Sequence, residues 1–308
     1  EYAYKKGVHA SVMTYLAARK KDFYKIENAA DGKHFVTARG WDDLSEMIKL
    51  YEENGLAVDE QLICQYLQDA RISKDFAIYY DLFNKYRSDY QVEKILDGTV
   101  SESIVLRAER ACMDERLSLL GLIFDSVTAQ LRTVCERENI LDLVTGQLKA
   151  LKEKLKDVSG AAALLSEMIE AEREKLERGK QSSSISPQAQ RETRFMLEYL
   201  EEFRAAVMQS GTAQKDEFSV VRESFAQKVA ELKGLAADGS RVLENVFLFC
   251  EKAFADGDEI LIFVTELTAN YYSARFIGRY GCDKYYMHNK QLQFDQRQQE
   301  IIKRMDEI

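Results

Sequence analysis

Apolar residues recur three and four positions apart along nearly the whole chain, the pattern of helices that bury one face. The early stripes are short. Val12, Tyr15 and Leu16 line a first helix, Leu44, Met47, Ile48 and Tyr51 a second, and Phe76, Tyr79, Tyr80 and Phe83 a later one. Asp59 is placed to cap a helix, with Val58 and Ile63 forming a hydrophobic staple across it. Ser73 is the expected cap for the helix that carries Phe76. Phe23 to Ile26 and Phe35-Val36 flank Asp31-Gly32, which predicts a small hairpin between the first two helices. Asp97-Gly98 breaks the pattern and sets the expected division into domains, 1–97 and 98–308.

Beyond that break the stripes lengthen. Leu117, Leu120, Phe124, Val127, Leu131 and Val134 make one amphipathic face. From Leu148 the spacing becomes heptad-like, through Leu151, Leu155, Val158, Ala162, Leu165, Ile169 and Leu176, with Glu172 breaking the seam and Gly160 loosening it. Such alternation predicts helices packed side by side in an antiparallel bundle. A serine-rich loop from Gly179 to Ser186 ends this element, and Ser186-Pro187 supplies a cap followed by proline in the first turn of the next helix. Met196, Leu200, Phe203 and Val207 continue the seam. Gly211 and the pair Asp238-Gly239 are expected to separate two further helices.

Composition sharpens this to an all-α fold. A single proline in 308 residues leaves long helices uninterrupted. The net charge of −9 argues against nucleic acid as a general partner, since a polyanion meets a repulsive mean field. The longest apolar run, Ile260 to Thr265, is far too short to cross a bilayer, and no basic segment leads into an apolar core at the start. A cytoplasmic protein with no membrane partner is expected. Five scattered cysteines, Cys64, Cys112, Cys135, Cys250 and Cys282, have neither zinc-knuckle nor redox-pair spacing and read as ordinary buried thiols in a reducing compartment. The end of the chain is different in character: Phe263, Tyr271, Tyr272, Phe276, Tyr280, Tyr285, Tyr286 and Phe294 gather there, with seven basic residues against three acidic between Arg275 and Arg304. Their helical spacing reads as a packed face rather than as a platform for bases.

The catalytic inventory is thin. His9, His34 and His288 are the only histidines, and none lies in an E-x-x-H or H-E-x-x-H pattern, so no bound metal is expected. Cys282 and His288 do not have a recognised metal spacing. No nucleophile elbow is visible. Gly32-Lys33 and Gly179-Lys180 lack the remaining residues of a P-loop, and Ile260 to Glu266, although apolar with a terminal acid, reads as a buried helix turn.

One segment is more specific. Phe35-Val36-Thr37-Ala38-Arg39-Gly40-Trp41-Asp42-Asp43-Leu44-Ser45 follows Val8-His9-Ala10-Ser11-Val12-Met13-Thr14-Tyr15-Leu16. Together they resemble the small helical lid of MoxR-type AAA+ ATPases, in which a histidine-containing helix precedes a hydroxyl-x-Arg turn. The resemblance covers roughly residues 1 to 90. It implies that Arg39 is the phosphate-sensing sensor 2 arginine, and that Thr37 and Arg39 together form the nucleotide-facing turn. Thr37 can cap a helix beginning at Ala38, and a guanidinium forks toward phosphate oxygens. Arg39 could instead pair with Asp42 or Asp43. Ala10 stands where the family commonly has proline. Because Walker A, Walker B, sensor 1 and arginine-finger segments are missing, the chain is expected to be the C-terminal part of a longer protein whose upstream AAA+ core binds ATP and Mg. The resemblance further implies a ring homo-oligomer that remodels or matures a client, with a von Willebrand A-domain protein as a partner. The competing expectation is a non-enzymatic helical scaffold. In either case the chain alone is expected to hydrolyse no ATP.

Overall fold

The computed structural model describes residues 7–29, 32–155, 160–182, 184–210, 217–255 and 257–290. Asp31, Val158, Gly211, Phe294 and Arg304, invoked above, lie outside them. The fold is all-α, with one small two-stranded sheet among the described residues. In chain order the elements are α1 (Ala10–Ala18), β1 (Lys25–Ala29), β2 (Gly32–Val36), α2 (Ala38–Glu53), α3 (Glu60–Tyr66), α4 (Ala70–Tyr90), α5 (Val92–Leu96), α6 (Glu102–Arg110) and α7 (Met113–Lys154). There follow α8 (Ala161–Gln181), α9 (Pro187–Ser210), α10 (Glu217–Phe254), α11 (Asp258–Ala269) and α12 (Tyr271–Tyr280).

Side-chain caps place the early boundaries. Thr37 Oγ1 accepts the Gly40 N–H at 3.1 Å, and Asp59 Oδ1 accepts that of Leu62 at 2.9 Å. Val58 and Ile63 both join the adjoining core, as a staple requires. The cap of α4 is Asp69, not Ser73: Asp69 Oδ1 takes the Ile72 N–H at 3.0 Å. Ser73 lies one turn inside, where its hydroxyl donates to the Leu67 carbonyl at 2.5 Å and satisfies the end of α3 instead. The hairpin forms with Ile26 opposite Phe35, but its first strand starts at Lys25 rather than Phe23. Phe35 also exchanges backbone hydrogen bonds with Gln68, at 3.0 and 3.1 Å, which ties β2 to the turn before α4.

Long helices account for the rest. α7 has 42 residues and α10 has 38. α10 runs straight through Asp238-Gly239, where a break was expected. A helical glycine costs about 1 kcal/mol, and the buried face of Ala236, Val242, Leu243 and Val246 continues across the pair and outweighs it. Ser186 does cap α9, accepting the Ala189 N–H at 3.2 Å. α7 also contains a stretch of mean hydropathy 1.2, long and apolar enough by composition to cross a membrane, which no single apolar run reveals. Its Leu119, Ile123, Val127, Leu131 and Val144 are buried within the protein.

Two compact units result: residues 131–239, and residues 1–130 with 240–308. They are drawn differently from 1–97 and 98–308. Gly98 does form a turn, with φ of +75°, but the chain beyond it still packs on the first part. Asn245 Nδ2 donates to the Leu96 carbonyl at 2.8 Å, and Arg116 pairs with the buried Glu259 at 2.8 Å. The first segment of this unit has an aromatic centre, with Phe76 edge-on to both Tyr15 and Trp41 at 5.2 Å. In the later part, Phe263, Tyr272, Phe276 and Tyr285 are buried while Tyr271, Tyr280 and Tyr286 are exposed, the division of helices with one packed face. Ile260 to Glu266 is helical, within α11.

The other unit is a helical array. α8 and α9 run antiparallel: Arg173 meets Glu201 while Arg204, farther along α9, donates to Ser166 at 3.3 Å. Leu148, Leu151, Leu165, Ile169 and Leu176 of the heptad-like run, with Met196, Leu200, Phe203 and Val207, share one core. That run is divided between α7 and α8, and Leu155 and Ala162 flank the core at the crossing. Phe203→Ala should lower the unfolding free energy by about 3–5 kcal/mol in a denaturant titration, and Met208→Ala, on an exposed position, by under about 0.5 kcal/mol.

Candidate functional site

The turn that carries Thr37 and Arg39 is built by what lies on either side of Arg39. Trp41 is buried, and its indole N–H donates to the Asp22 carbonyl at 3.1 Å. Gly40 passes so close to α3 that a Cβ there would stand 2.6 Å from the Tyr66 carbonyl oxygen, so glycine is needed for this approach. With the face of Trp41, Leu44, Ser45 and Ile48 turned inward, Arg39, Asp43, Glu46 and Leu50 face solvent. The Arg39 side chain is 88% exposed, and its Nε lies 3.5 Å from Asp43 Oδ2, one turn along α2. Thr37 and Arg39 are thus brought together at the start of one helix, with Thr37 committed to the cap. An exposed pair of this kind contributes about 0–1 kcal/mol, so it does little to hold the guanidinium in place.

His9 performs a different task. It is buried and caps α1, with Nδ1 accepting the Ser11 N–H at 3.3 Å. Ala10 follows as the first helical residue, a position whose N–H needs no helical partner, so alanine and proline are equally compatible with it. The His9 backbone N–H donates to Ser45 Oγ at 2.7 Å, and with Nδ1 accepting, Nε2 carries the proton toward Glu52 Oε2 at 3.2 Å. Tyr80 on α4 donates its phenol to Glu52 Oε1 at 2.7 Å.

Burial works against the Glu52 charge. Hydrogen bonds from His9 and Tyr80 and the positive charge of Arg87 overcome it, holding this carboxyl below the usual range. The Tyr80 phenol is pushed up, first by burial and then by its bond to Glu52. The half-buried Asp125 of α7 faces the same charges: desolvation pushes its carboxyl up, opposed by His9, Arg87 and Lys49. None of Glu52, Tyr80, Arg87 and Asp125 forms a local motif with His9. The trace they leave in sequence is that Glu52 falls four residues after the buried Ile48 and so shares its side of α2.

His288 stacks on Phe247 at 5.7 Å and meets Glu251 Oε1 at 3.0 Å, and Lys284 takes the other oxygen at 2.6 Å, which pins residues 283–290 to α10. Among the described residues no group of three His, Cys, Asp or Glu is arranged to hold a metal ion. Of the five cysteines expected to be buried, Cys135 and Cys250 are, Cys64 and Cys282 are partly so and Cys112 is exposed; burial raises the Cys250 thiol well above its usual value.

No protein-family model, curated protein or solved structure matches the chain.

Because the Glu52 carboxyl is depressed in the fold, the stability it contributes is present above the usual carboxylate range and is lost as pH falls through its lowered value. Tyr80→Phe should cost about 1–2 kcal/mol near neutral pH, and the deficit should shrink on acidification when urea unfolding is followed from neutral to acid pH.

Proposed function

We propose that the N-terminal helices serve as the lid of a MoxR-type AAA+ ATPase, with ATP and Mg bound by a nucleotide-binding core elsewhere in the protein. Hydrolysis in a ring homo-oligomer would move the lid and, through the long helices, remodel or mature a client protein; a von Willebrand A-domain protein is a partner compatible with this role. The observation that carries the reading is the exposure of Arg39 on a turn that the fold otherwise ties down. Thr37 caps α2, Gly40 sits against Tyr66 and Trp41 is buried, yet between them the arginine projects outward with an exposed aspartate as its ion-pair partner.

A guanidinium in this position can exchange a weak carboxylate contact for a phosphate oxygen without repacking the core. The amino-terminal end of α2 adds a favourable field for the same anion. Thr37 acts by positioning the turn.

The test is steady-state ATP hydrolysis by the full-length gene product, wild type against Arg39→Ala and Arg39→Lys. Arginines that stabilise a transferring phosphoryl group contribute ~10³-fold or more in the strongest cases, and an arginine reporting from a lid should cost at least about tenfold in kcat when removed. Lysine should restore only part of the rate, because it cannot fork to two oxygens. Equal turnover in all three removes Arg39 from the mechanism. If none hydrolyses ATP, the helical scaffold becomes the better reading.

A further inference from the structure

Near the C-terminal end of α2 lies an open depression of about 450 Å³, a volume suited to a small ligand. It is lined by the apolar Leu56 and Val58, by Tyr80, Asn84 and Arg87 of α4, and by Glu52. This carboxylate is already fixed in place: His9 holds Oε2 at 3.2 Å and Tyr80 holds Oε1 at 2.7 Å. An ionised carboxylate has about four acceptor positions, so two such bonds orient Glu52 without filling it. Arg87 is 45% exposed and reaches Glu93 at only 3.4 Å, which leaves most of its five donors for another anion.

The charges restrict what fits. A lone cation would meet Arg87, and a lone anion would meet the carboxylates of Glu52 and Asp81, which also line the depression. A molecule bearing both charges on groups joined through a single carbon satisfies Glu52 and Arg87 together, and the side chains of Leu56 and Val58 accept an apolar stem. We propose that this depression binds a free amino-acid zwitterion with an unbranched apolar side chain: the ammonium on Glu52, the carboxylate on Arg87 and the methylenes along Leu56 and Val58. None of these groups belongs to the Arg39 surface, so binding here stands or falls apart from the lid proposal.

Three probes of matched length separate the contributions: L-norleucine, pentylamine without the carboxylate, and hexanoate without the ammonium. In titrations of the ¹⁵N-labelled chain followed by NMR, norleucine should shift the amides of residues 52–58 and 80–87 saturably. Each single-charge probe should bind about tenfold more weakly or worse. Glu52→Gln should lose the norleucine response. Arg87→Gln, at an exposed position that leaves the core untouched, should bring norleucine down to the affinity of pentylamine. A norleucine response that does not saturate, equal affinity for the amine, or unchanged binding in Arg87→Gln would each overturn the assignment.

Discussion

Burial of one face of α2 is the constraint on which both candidate features depend. Trp41, Leu44, Ser45 and Ile48 turn inward and fix the rotation of the helix about its axis. Once that rotation is set, Arg39 is forced to solvent at one end. At the other end Glu52, one turn beyond Ile48, is carried to His9 and Tyr80. A polar residue replacing Trp41 would disturb both ends at once, because the indole also holds the Asp22 carbonyl, and the Asp22 side chain receives the Tyr15 hydroxyl at 2.9 Å. Two surfaces with different chemistry thus share one mechanical support.

The remainder of the protein obeys a simpler rule. With a single proline, located in the first turn of α9, nothing in the helix interiors removes a backbone donor. Helices therefore extend until packing or a cap stops them, and α7 and α10 each contribute residues to both compact units. Within residues 131–239 the specificity comes from the shared core of Leu165, Ile169, Leu200 and Phe203, reinforced by aromatic contacts such as Lys228 over the Tyr199 ring at 4.5 Å. The many exposed pairs along α8, among them Arg173 with Glu170, contribute mostly solubility and a few tenths of a kcal/mol each.

Local features were legible wherever the controlling interaction spans three or four residues. The caps at Thr37, Asp59 and Ser186, the proline after Ser186 and the inward stripe of α2 all belong to this class, because the donor, acceptor and helix period lie within one turn. Ser73 shows where such reading stops. A serine and an aspartate four residues apart both have capping chemistry, and the choice of Asp69 is made by the end of α3, which takes the Ser73 hydroxyl, and by Lys25, whose Nζ reaches the Asp69 carboxylate at 2.7 Å.

From its sequence alone the chain determined that it would be helical, that α2 would start after Thr37 with Arg39 in its first turn, and that the middle would pack as an antiparallel array. Periodicity and capping are short-range, and they were sufficient. Tertiary structure decided what distance along the chain conceals. It carried α10 through Asp238-Gly239 on the strength of a continuous buried face, and it drew residues 240–290 into the unit formed with the first part of the chain. It also joined His9 to Glu52 across 43 residues and Glu52 to Tyr80 across 28. Those contacts arise from the packing of α1, α2 and α4 around shared apolar side chains, and no local pattern specifies which polar groups such packing leaves face to face.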